Sequence, residues 1–409
     1  MNVTVIGGGA SGMAAAITAA ERGHAVTILE RQARVGRKLL STGNGRCNLS
    51  NTRAGTEQRA HYHGDSDLAA AVLRQPGLEV GGTIAWFDRL GLLTVDEPGG
   101  RIYPRSDMAA SVVDVLRFAL DRLGVTVIAG APVTDIRVKD HHFTVTTEQG
   151  VYRADAVILA AGGAAGAKVG GVMDGYRLAG ILGHHRTALY PAIVQIRTDP
   201  TWPRALKGVK AHAEVKICRG DEVLARRIGE VLFTEYGVSG PAVFDVSRAA
   251  STVGDGLTCV LDLLPDWDEI RTVRALTRRR DLLAGREASA LLTGLVHPRL
   301  GQMVVKAAGF TSQPLEGLTE RDFRRVSDAL HRFALPVLGV CGFDQAQVTA
   351  GGLRTDEFDP ATLQSRLAPG FYACGEVLNV DGDCGGYNLQ WAWSSGRLAG
   401  CLLSNGSAV

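Results

Sequence analysis

NVTVIGGGASGMAAAITAAERGHAVTILE, residues 2–30, is the stretch that decides the fold. Its β-branched opening, residues 2–6, predicts a buried strand that ends at consecutive glycines. Residues 11–22 have helix-forming composition, and residues 25–29 predict a second strand that Glu30 terminates. This order of strand, glycine turn, helix, strand and acid is typical of a Rossmann unit.

Gly7, Gly9 and Gly12 satisfy the spacing G-x-G-x-x-G in the context that the motif requires. Glycines let the backbone turn tightly and approach a pyrophosphate, and the free N–H groups at the start of the helix stabilise its charge. Glu30 follows at the distance where a carboxylate accepts hydrogen bonds from an adenosine ribose. The stretch therefore predicts a bound adenine dinucleotide.

The composition is that of a globular protein with a large core. The chain has 409 residues, 45% of them hydrophobic and 21% charged. The net charge of +2 is too small to indicate a nucleic-acid or membrane partner by itself. The N-terminus lacks the basic segment of a signal peptide, and no apolar run reaches the ~18 residues of a membrane helix. A cytoplasmic protein without a membrane span is expected.

The cysteine pattern favours reduced thiols. Seven cysteines are present, none in C-x-x-C or zinc-like spacing, and an odd number argues against a secreted disulfide framework. A thiol–disulfide reductase is disfavoured because no C-x4-C pair follows the first helix. Cys47 alone is retained as a candidate reactive thiol.

A polar loop, residues 36–51, stands where a nicotinamide dehydrogenase would continue with alternating strands and helices. Its small residues, cations and amides leave little to bury, which is typical of a segment that wraps a long polar ligand. We place Lys38 and Arg46 near phosphate. Asn44 and Asn48 are placed near a hydrogen-bonding ring system.

Two later glycine signals lie at the ends of predicted strands. Residues 154–161 form an apolar run that ends at Gly162. Residues 371–374 form another, and Gly375 and Glu376 follow it. Flavoproteins of the glutathione-reductase type hold the ribitol of FAD with a late strand that ends in glycine and an acid. FAD is therefore favoured over NAD.

Several long motifs resemble a known family, and together they span nearly the whole chain. The motifs are GGGASG (7–12), STGNGRCNLSN (41–51), GEVLFTEYGVSGP (229–241), VTAGGL (348–353) and GEVLNVDGDCGGYNLQWAWSSG (375–396). They are similar to the BaiN-like NAD(P)/FAD-dependent oxidoreductases, also called aminoacetone-oxidase-family FAD-binding enzymes.

The resemblance implies an α/β fold with three parts. A Rossmann-type FAD-binding domain of the glutathione-reductase type would be formed by both ends of the chain and carry an inserted antiparallel β-domain and a helical domain. The expected boundaries are 1–190 for the first part of the FAD domain, 191–265 for the β-domain, 266–335 for the helical domain, 336–347 for a return through the β-domain and 348–409 for the second part of the FAD domain.

Sequence periodicity agrees with this plan. Residues 66–91 predict a helical stretch, and residues 108–123 predict a helix with a cap signal at Ser106 and Asp107. Short strands begin with residues 193–196, and the pattern from 268 to 331 is helical.

Other patterns indicate neither hydrolysis nor a basic interface. Residues 237–240 resemble half of a nucleophile elbow, but Pro241 replaces the required glycine, which argues against a serine hydrolase. The arginines between 271 and 286 interleave with acids, so a solvated helix face is favoured over a phosphate-binding surface.

The histidines do not predict a metal site, because they lack a third ligand at a suitable spacing. Polar surface or helix-end positions are favoured for all of them. The histidines concerned are His61, His63, His141, His142, His184 and His185.

The predicted chemistry belongs to the cofactor, while the protein supplies orientation and charge. Hydride is expected to pass between flavin N5 and an organic substrate. No second G-x-G-x-x-G follows a strand, so NAD(P)H would dock transiently at the flavin face as the reductant. At that face Arg101 would hold an anionic substrate and Tyr103 would donate a proton. Cys47 and Tyr387 are further catalytic candidates.

Three functions remain open from the sequence. The resembling family includes enone reduction in bile-acid-like steroids, oxidation of a small amino-ketone and reduction of uridine in ribosomal RNA. A small-molecule substrate is favoured, and RNA would be favoured only if residues 271–286 form a continuous basic patch near the flavin. A flavin-binding sensor or electron carrier without its own substrate is the third.

The start of the last predicted helix would stabilise negative charge at the N1–O2 edge of the flavin. Val133 is a candidate for a backbone contact to adenine, as in relatives of this fold. The residues assigned to FAD are Gly7, Gly9, Ala10, Ser11, Gly12, Glu30, Arg31, Lys38, Leu39, Thr42, Gly43, Asn44, Gly45, Arg46, Asn48, Val133, Ala161, Gly162, Gly375, Glu376, Asp381, Gly386, Asn388 and Leu389.

Overall fold

The computed structural model describes residues 1–403. They divide into two compact units: Met1–Tyr190 together with the described residues from Gln347 on, and Pro191–Ala346. Each unit has its own cluster of buried apolar side chains.

The strands in chain order are β1 (Asn2–Ile6), β2 (Ala25–Glu30), β3 (Ser50–Asn51), β4 (Tyr62–Gly64), β5 (Thr94–Glu97), β6 (Arg101–Pro104), β7 (Thr126–Ala129), β8 (Val133–Lys139), β9 (His142–Thr147), β10 (Gly150–Ala154), β11 (Ala156–Leu159), β12 (Tyr190–Ala192), β13 (Ile196–Thr198), β14 (Lys210–Arg219), β15 (Glu222–Phe233), β16 (Gly237–Ser239), β17 (Thr258–Asp262), β18 (Phe333–Val340), β19 (Val348–Ala350), β20 (Phe371–Ala373) and β21 (Val380–Gly382).

The helices are α1 (Ala10–Glu21), α2 (Gln58–His61), α3 (Ser66–Leu73), α4 (Val80–Leu90), α5 (Ala109–Arg122), α6 (Asp174–Ile181), α7 (Pro241–Thr252), α8 (Glu269–Leu282), α9 (Pro298–Ala307), α10 (Glu320–His331) and α11 (Tyr387–Gly400).

A five-stranded parallel sheet organises the first unit, with the order β20-β11-β1-β2-β7. The prediction of a strand, a helix and a second strand within residues 2–30 is confirmed by β1, α1 and β2. Because the strands are parallel, the glycine turns that follow β1, β11 and β20 meet at one edge of the sheet. Ligands of open α/β folds bind at this carboxyl edge.

The first and last helices pack against each other through small residues. A Cβ added to Gly396 would overlap the backbone oxygen of Ser11, and one added to Gly400 would overlap that of Ala15. Ala15 and its neighbours on α1 are fully buried. Glycines thus let the two helix backbones approach more closely than any other residue would allow, which joins the two ends of the chain.

Gly400→Val is expected to destabilise the first unit by about 1–3 kcal/mol, as overpacking of a close core contact does. The new side chain would meet the backbone of Ala15 and the Cβ of Thr18, 2.9 Å away. The control is Gly180→Val on α6, where a Cβ meets nothing within 4 Å. Urea unfolding of FAD-free protein measures the effect, and equal stability of the two variants would contradict it.

The helical prediction for residues 66–91 is wrong in its middle. The structure contains two helices there, α3 and α4, separated by residues 74–79. Pro76 has no N–H to continue the helix, and Gly77 has a φ of 79°. The predicted cap at Ser106 and Asp107 is also wrong, because Met108 is the N-cap of α5 and no side chain caps the helix.

The loop of residues 36–51 buries more than the sequence suggested. Cys47, Leu49 and Ser50 are fully buried, and Asn51 is 2% exposed. Its main chain is irregular: a 3₁₀ segment, Leu39–Gly45, contains the non-helical residues 42–44. The buried end of the loop forms strand β3, which pairs with β6. Part of the loop therefore belongs to a β-sheet.

The second unit contains a closed antiparallel barrel with the strand order β13-β16-β15-β14-β17-β18. Its core includes Val215 and Leu261 from the barrel and Leu276 and Phe323 from the helices, in one continuous apolar cluster. The strand predicted at residues 193–196 begins only at Ile196, because Ile193 has a φ of 50° that interrupts an extended backbone. Ser239 lies in β16, a barrel strand.

No helix within residues 1–403 combines the length and apolar character needed to cross a membrane.

Candidate active site

The glycine turn after β1 exposes unused hydrogen-bond donors. Gly9 is the N-cap of α1, no side chain caps the helix, and its first turn contains no acidic residue. Ala10, Ser11 and Gly12 form this first turn, whose N–H groups have no partner within the helix. A Cβ on Gly9 would meet nothing within 4 Å, whereas one on Gly7 or Gly12 would collide with backbone. The open side of the turn therefore fits a phosphate.

Glu30 is tied to this turn by its carboxylate. Oε2 accepts a hydrogen bond from the backbone N–H of Gly8 at 2.7 Å, and Oε1 accepts one from Gln32 at 2.6 Å. The residue is 8% exposed. Its neighbour Arg31 turns away and pairs with Asp174 at 3.0 Å. Remaining lone pairs on Glu30 are available to a ribose hydroxyl beside the turn.

A second uncapped helix start lies at α11. Gly386 is its N-cap, with no side-chain cap and no acid in the first turn. Gly386 has a φ of 102°, and an added Cβ would overlap the backbone oxygen of Ser50. Asn51 Nδ2 donates to the Gly385 oxygen at 2.8 Å. With its amide oriented to suit its neighbours, Asn48 accepts from Gly386 N–H at 3.3 Å.

The first residues of α11 are held from both sides. Asn388 Oδ1 accepts from Gly382 N–H at 2.8 Å, and its Nδ2 donates to the Gly382 oxygen at 2.7 Å. Asp381 is buried in β21, and Leu389 is partly buried in the first turn. The Asn388 side chain is thus used within the protein, and a contact between this side chain and FAD stays a prediction.

The turns after β11 and β20 form a connected network. Glu376 Oε2 lies 2.9 Å from Lys38 Nζ, and its Oε1 accepts from Thr349 N–H at 2.8 Å. Lys38 was predicted near phosphate, and the structure gives its ammonium group a carboxylate partner. Gly162, preceded by the half-buried Ala161, has a φ of 71° and open space where a Cβ would lie.

Arg101 and Tyr103 on β6 lie beside the start of α11. The position of a Cβ on Gly385 is 3.9 Å from Arg101 Nε. Arg101 is exposed and makes no side-chain hydrogen bond or ion pair with the residues that the structure describes. Burial raises the pKa of Tyr103 and outweighs the opposing effect of the guanidinium groups of Arg101 and Arg46. Tyr103 therefore stays protonated at neutral pH, as a proton donor must.

Arg46 is engaged by acidic side chains. It forms ion pairs with Glu97 and Asp107, and its guanidinium lies 4.1 Å from the centre of the Tyr103 ring. The preceding residues Thr42, Gly43, Asn44 and Gly45 form an exposed turn after the buried Leu39. The structure thus uses Arg46 to fix Tyr103, and a phosphate contact by Arg46 stays a prediction.

Cys47 has no access to a substrate from its present position. Its side chain is fully buried, and burial raises the pKa of the thiol to about 12, against a smaller lowering by the Thr42 hydroxyl. A thiolate is the reactive form of cysteine. This placement does not favour the catalytic role considered for Cys47, and it gives the residue a packing role.

Val133 begins β8, outside the five-stranded sheet. It is buried, and its backbone oxygen accepts from Arg177 Nη2 at 3.4 Å. An adenine contact at Val133 stays a prediction.

Sequence reasoning missed the residues that hold Gly375. Ser395 Oγ accepts from Gly375 N–H at 2.9 Å, and Trp391 Nε1 donates to the Gly375 oxygen at 3.0 Å. Thr349 Oγ1 accepts from Ala165 N–H at 3.0 Å. The available signal was the i, i+4 spacing of Trp391 and Ser395 in WAWSS, which places both on one helix face.

His184 is buried just after the end of α6, so it has the helix-end position and not the surface position of the two that were expected. Its Nδ1 lies 2.9 Å from Glu357 and its Nε2 lies 3.0 Å from Ser365 Oγ. This order resembles a serine hydrolase triad, but Ser365 is fully buried and accepts from the N–H groups of Leu367 and Ala368. The arrangement is therefore a structural link without access for a substrate.

The stability of the first unit is expected to fall below neutral pH because of His184. Burial lowers its pKa more than Glu357 raises it, so the folded state resists protonation that the unfolded state accepts at about pH 6.5. The stabilisation is present above that pH and is lost as the pH falls towards the folded pKa. Urea unfolding on either side of pH 6.5 should show a smaller loss for His184→Gln than for the wild type. His142→Gln, at an exposed position, should keep the wild-type loss, and parallel pH curves for all three proteins would contradict the assignment.

The residues fit FAD on two structural grounds. The N-cap residues of α1 and α11 are glycines that provide no side-chain cap, and neither first turn contains an acidic residue, which is the setting in which a helix start binds an anionic group. Gly9 and Gly162 face open space, which allows a ligand to approach the backbone. Among residues 1–403, no group of three or more histidine, cysteine or acidic side chains has the geometry to hold a metal ion.

A parallel sheet with this phosphate turn, an acid after its second strand and a closing helix from the far end of the chain define an FAD-dependent oxidoreductase. The chain belongs to the family described as HI0933-like proteins with a Rossmann domain, whose family model matches residues 1–402. The FAD-binding α/β fold and the family resemblance predicted from sequence are confirmed.

Two curated relatives cover almost the whole chain. It is 40% identical to a 3-dehydro-bile acid Δ4,6-reductase of Clostridium scindens, over 97% of this chain and 98% of the relative. It is 27% identical to a ribosomal RNA dihydrouridine synthase of Escherichia coli, over 96% of this chain and 95% of that relative. Among solved structures, a 3-ketosteroid-Δ4-(5α)-dehydrogenase of Rhodococcus jostii is 14% identical, with a TM-score of 0.49 over 97% of this chain and 96% of that one.

Proposed function

We propose that this oxidoreductase reduces a carbon–carbon double bond conjugated to a carbonyl group in a small organic molecule of steroid-like size, with NAD(P)H as the reductant. The observation that carries the proposal is the unpaired guanidinium of Arg101 beside the start of α11. The 40% identity to a bile acid Δ4,6-reductase supports the substrate class.

Arg101 would bind the carbonyl oxygen or a carboxylate of the substrate. When bound, FAD supplies the hydride chemistry. A hydrogen bond from a charged donor draws electron density towards the carbonyl oxygen, which makes the far carbon of the double bond electron-poor. The N–H groups at the start of α11 favour negative charge at the same place.

Tyr103 would deliver the proton that the reduction consumes. Its raised pKa keeps the hydroxyl protonated at neutral pH, and Arg46 over its ring fixes its orientation. Tyr103 is 6% exposed, so its hydroxyl lies in a largely water-excluded position. NAD(P)H would bind transiently at the flavin face before the substrate does.

Reduction of uridine in ribosomal RNA is the second candidate, because two relatives at 25% and 27% identity carry that name. The uracil ring contains the same conjugated double bond. The arginines of α8 do not support it: Arg271 lies over Trp267, while Arg279 donates to the Leu291 and Thr293 oxygens. Arg280 pairs with Asp281. These contacts engage three of the five arginines of α8 within the chain.

The test begins with the visible spectrum of purified protein, which should show bound FAD. Anaerobic NADH or NADPH should bleach it, and a 3-oxo-Δ4 steroid acid should restore the colour and yield a saturated product by mass spectrometry. Restoration by unmodified ribosomal RNA fragments alone would favour the second candidate. Bleaching without reoxidation by either substrate would contradict both and favour an electron carrier.

A further inference from the structure

Two histidines share one aspartate next to the start of α11. His61 Nδ1 lies 2.9 Å from one carboxylate oxygen of Asp383, and His63 Nε2 lies 2.8 Å from the other. The side chains of His61 and Asp383 are 10% and 20% exposed, and that of His63 is 35% exposed. The sequence predicted a polar surface or helix-end position for both histidines, and His61 is the last residue of α2, where it is also buried.

The group is in direct contact with the first residue of α11. The rings of His61 and Tyr387 stack with centroids 4.4 Å apart and planes at 23°. Tyr62, between the two histidines, donates its hydroxyl to the Tyr387 oxygen at 2.9 Å. Asp383 lies in the turn before the helix, and its backbone oxygen accepts from Asn388 at 3.3 Å. A change at His61 therefore reaches the helix start without an intermediate residue.

The charge of this group depends on its histidines. Burial raises the pKa of Asp383, but the hydrogen bonds from His63 and His61 outweigh it and hold that pKa below its usual range. The carboxylate is thus ionised at neutral pH. Nε2 of His61 makes no hydrogen bond, although Glu57 Oε2 lies 3.4 Å away. The rings of Tyr62 and Tyr387 pack beside this group, and burial raises the pKa of Tyr62 well above its usual range, so its phenol is uncharged at neutral pH.

We propose that His61, held by Asp383, is a positioning residue that orients Tyr387 and favours negative charge at the start of α11 while its ring is protonated. This rests on the proposed function, in which reduction brings electron density to that place. Loss of the proton from His61 would leave the carboxylate of Asp383, in the turn before α11, with less compensating positive charge. A positive charge close to the flavin favours its reduced state. A negative charge close to the flavin disfavours that state.

A metal site is a poorer explanation of the same group. Both imidazole rings point a nitrogen at the same carboxylate, and the described residues contain no group with metal-binding geometry. The stack on Tyr387 singles out His61, because His63 makes no ring contact with it.

The experiment compares His61→Gln with His142→Gln. The control removes another imidazole paired with an aspartate, at 3.1 Å from Asp155, but at an exposed position of β9. FAD content is measured first, so that loss of cofactor is recognised. The midpoint potential of the bound flavin is then measured spectroelectrochemically from mildly acidic to mildly alkaline pH, and imidazole NMR follows the protonation of His61.

The wild-type potential should decline more steeply with pH where NMR shows His61 losing its proton. At the acidic end of the range, the equilibrium constant for reduction of the flavin should be about tenfold smaller in His61→Gln than in the wild type. This corresponds to a midpoint potential lower by about 30 mV for a two-electron couple. His142→Gln should match the wild type. A His61→Gln curve that coincides with both would overturn the inference.

A second variant tests the role of the carboxylate, and the measurement itself does not depend on enzyme activity. Asp383→Asn should flatten the pH dependence, and if that variant does not fold, His61→Gln alone decides. Because the potential is measured without substrate, failure of the wild type to reduce any enone would contradict the proposed function but not these curves.

Discussion

A valine at position 12 is expected to yield a protein that no longer retains FAD. A Cβ on Gly12 would overlap the carbonyl oxygen of Gly7, which is backbone and cannot rotate away. The turn must then open, and the backbone loses its close approach to the pyrophosphate. We expect FAD affinity to fall at least about 100-fold, or about 2.7 kcal/mol. FAD content and the FAD dissociation constant of purified protein measure the effect.

Two matched variants separate ligand contact from damage to the turn. Gly9→Ala adds a Cβ that meets no protein atom within 4 Å, so the FAD-free protein should melt as the wild type does while FAD binds at least about tenfold more weakly. Gly81→Ala adds the same atom in open space on α4 and should leave FAD affinity unchanged, while its melting temperature stays the same or rises because alanine favours a helix by up to about 1 kcal/mol. Equal FAD affinity for Gly9→Ala and Gly81→Ala would refute a phosphate at this turn.

Arg101→Gln is expected to lower kcat/KM for an enone substrate about 100-fold. The wild-type guanidinium has no partner in the described chain, so its charge-assisted hydrogen bond to substrate, worth about 1.5–3 kcal/mol, is lost. FAD content should stay unchanged, because Arg101 is exposed and holds no part of the fold. Steady-state kinetics with the steroid acid and anaerobic reoxidation rates measure the loss.

Arg105→Gln serves as the control for Arg101. Arg105 is exposed just beyond the same strand, and the same positive charge is removed without touching the start of α11. Its kinetics should follow the wild type. A similar reduction for both variants would indicate a general charge effect and contradict a role of Arg101 in substrate binding.

The sequence predicted the part of the site whose residues lie close together in the chain. The phosphate turn and Glu30 lie within thirty residues, and the strand, turn and helix are encoded by neighbouring residues. Cys47 shows the limit of such signals, because its sequence context suggested a polar loop and only packing buries it. The break at residues 74–79 is a different case, because Pro76 is a local signal in the sequence that the periodicity alone did not take into account.

The other half of the site depends on contacts between distant segments. Asn51 and Gly385 are 334 residues apart in the chain, and His61 and Asp383 are 322 apart. No periodicity or spacing reports such a pair, since each side chain is an ordinary polar residue until the other is folded against it. Arg46 behaves similarly, because its acidic partners come from other parts of the chain.

By itself, the amino-acid sequence determined the Rossmann unit, its dinucleotide and the class of chemistry, because a tight turn, a strand and a helix start depend on residues a few positions apart. Tertiary structure alone decided which side chains are free to act. The parallel sheet and the α1–α11 contact bring three distant segments to one edge. There, burial and pairing leave Arg101 free, occupy Arg46 and Lys38, and bury Cys47.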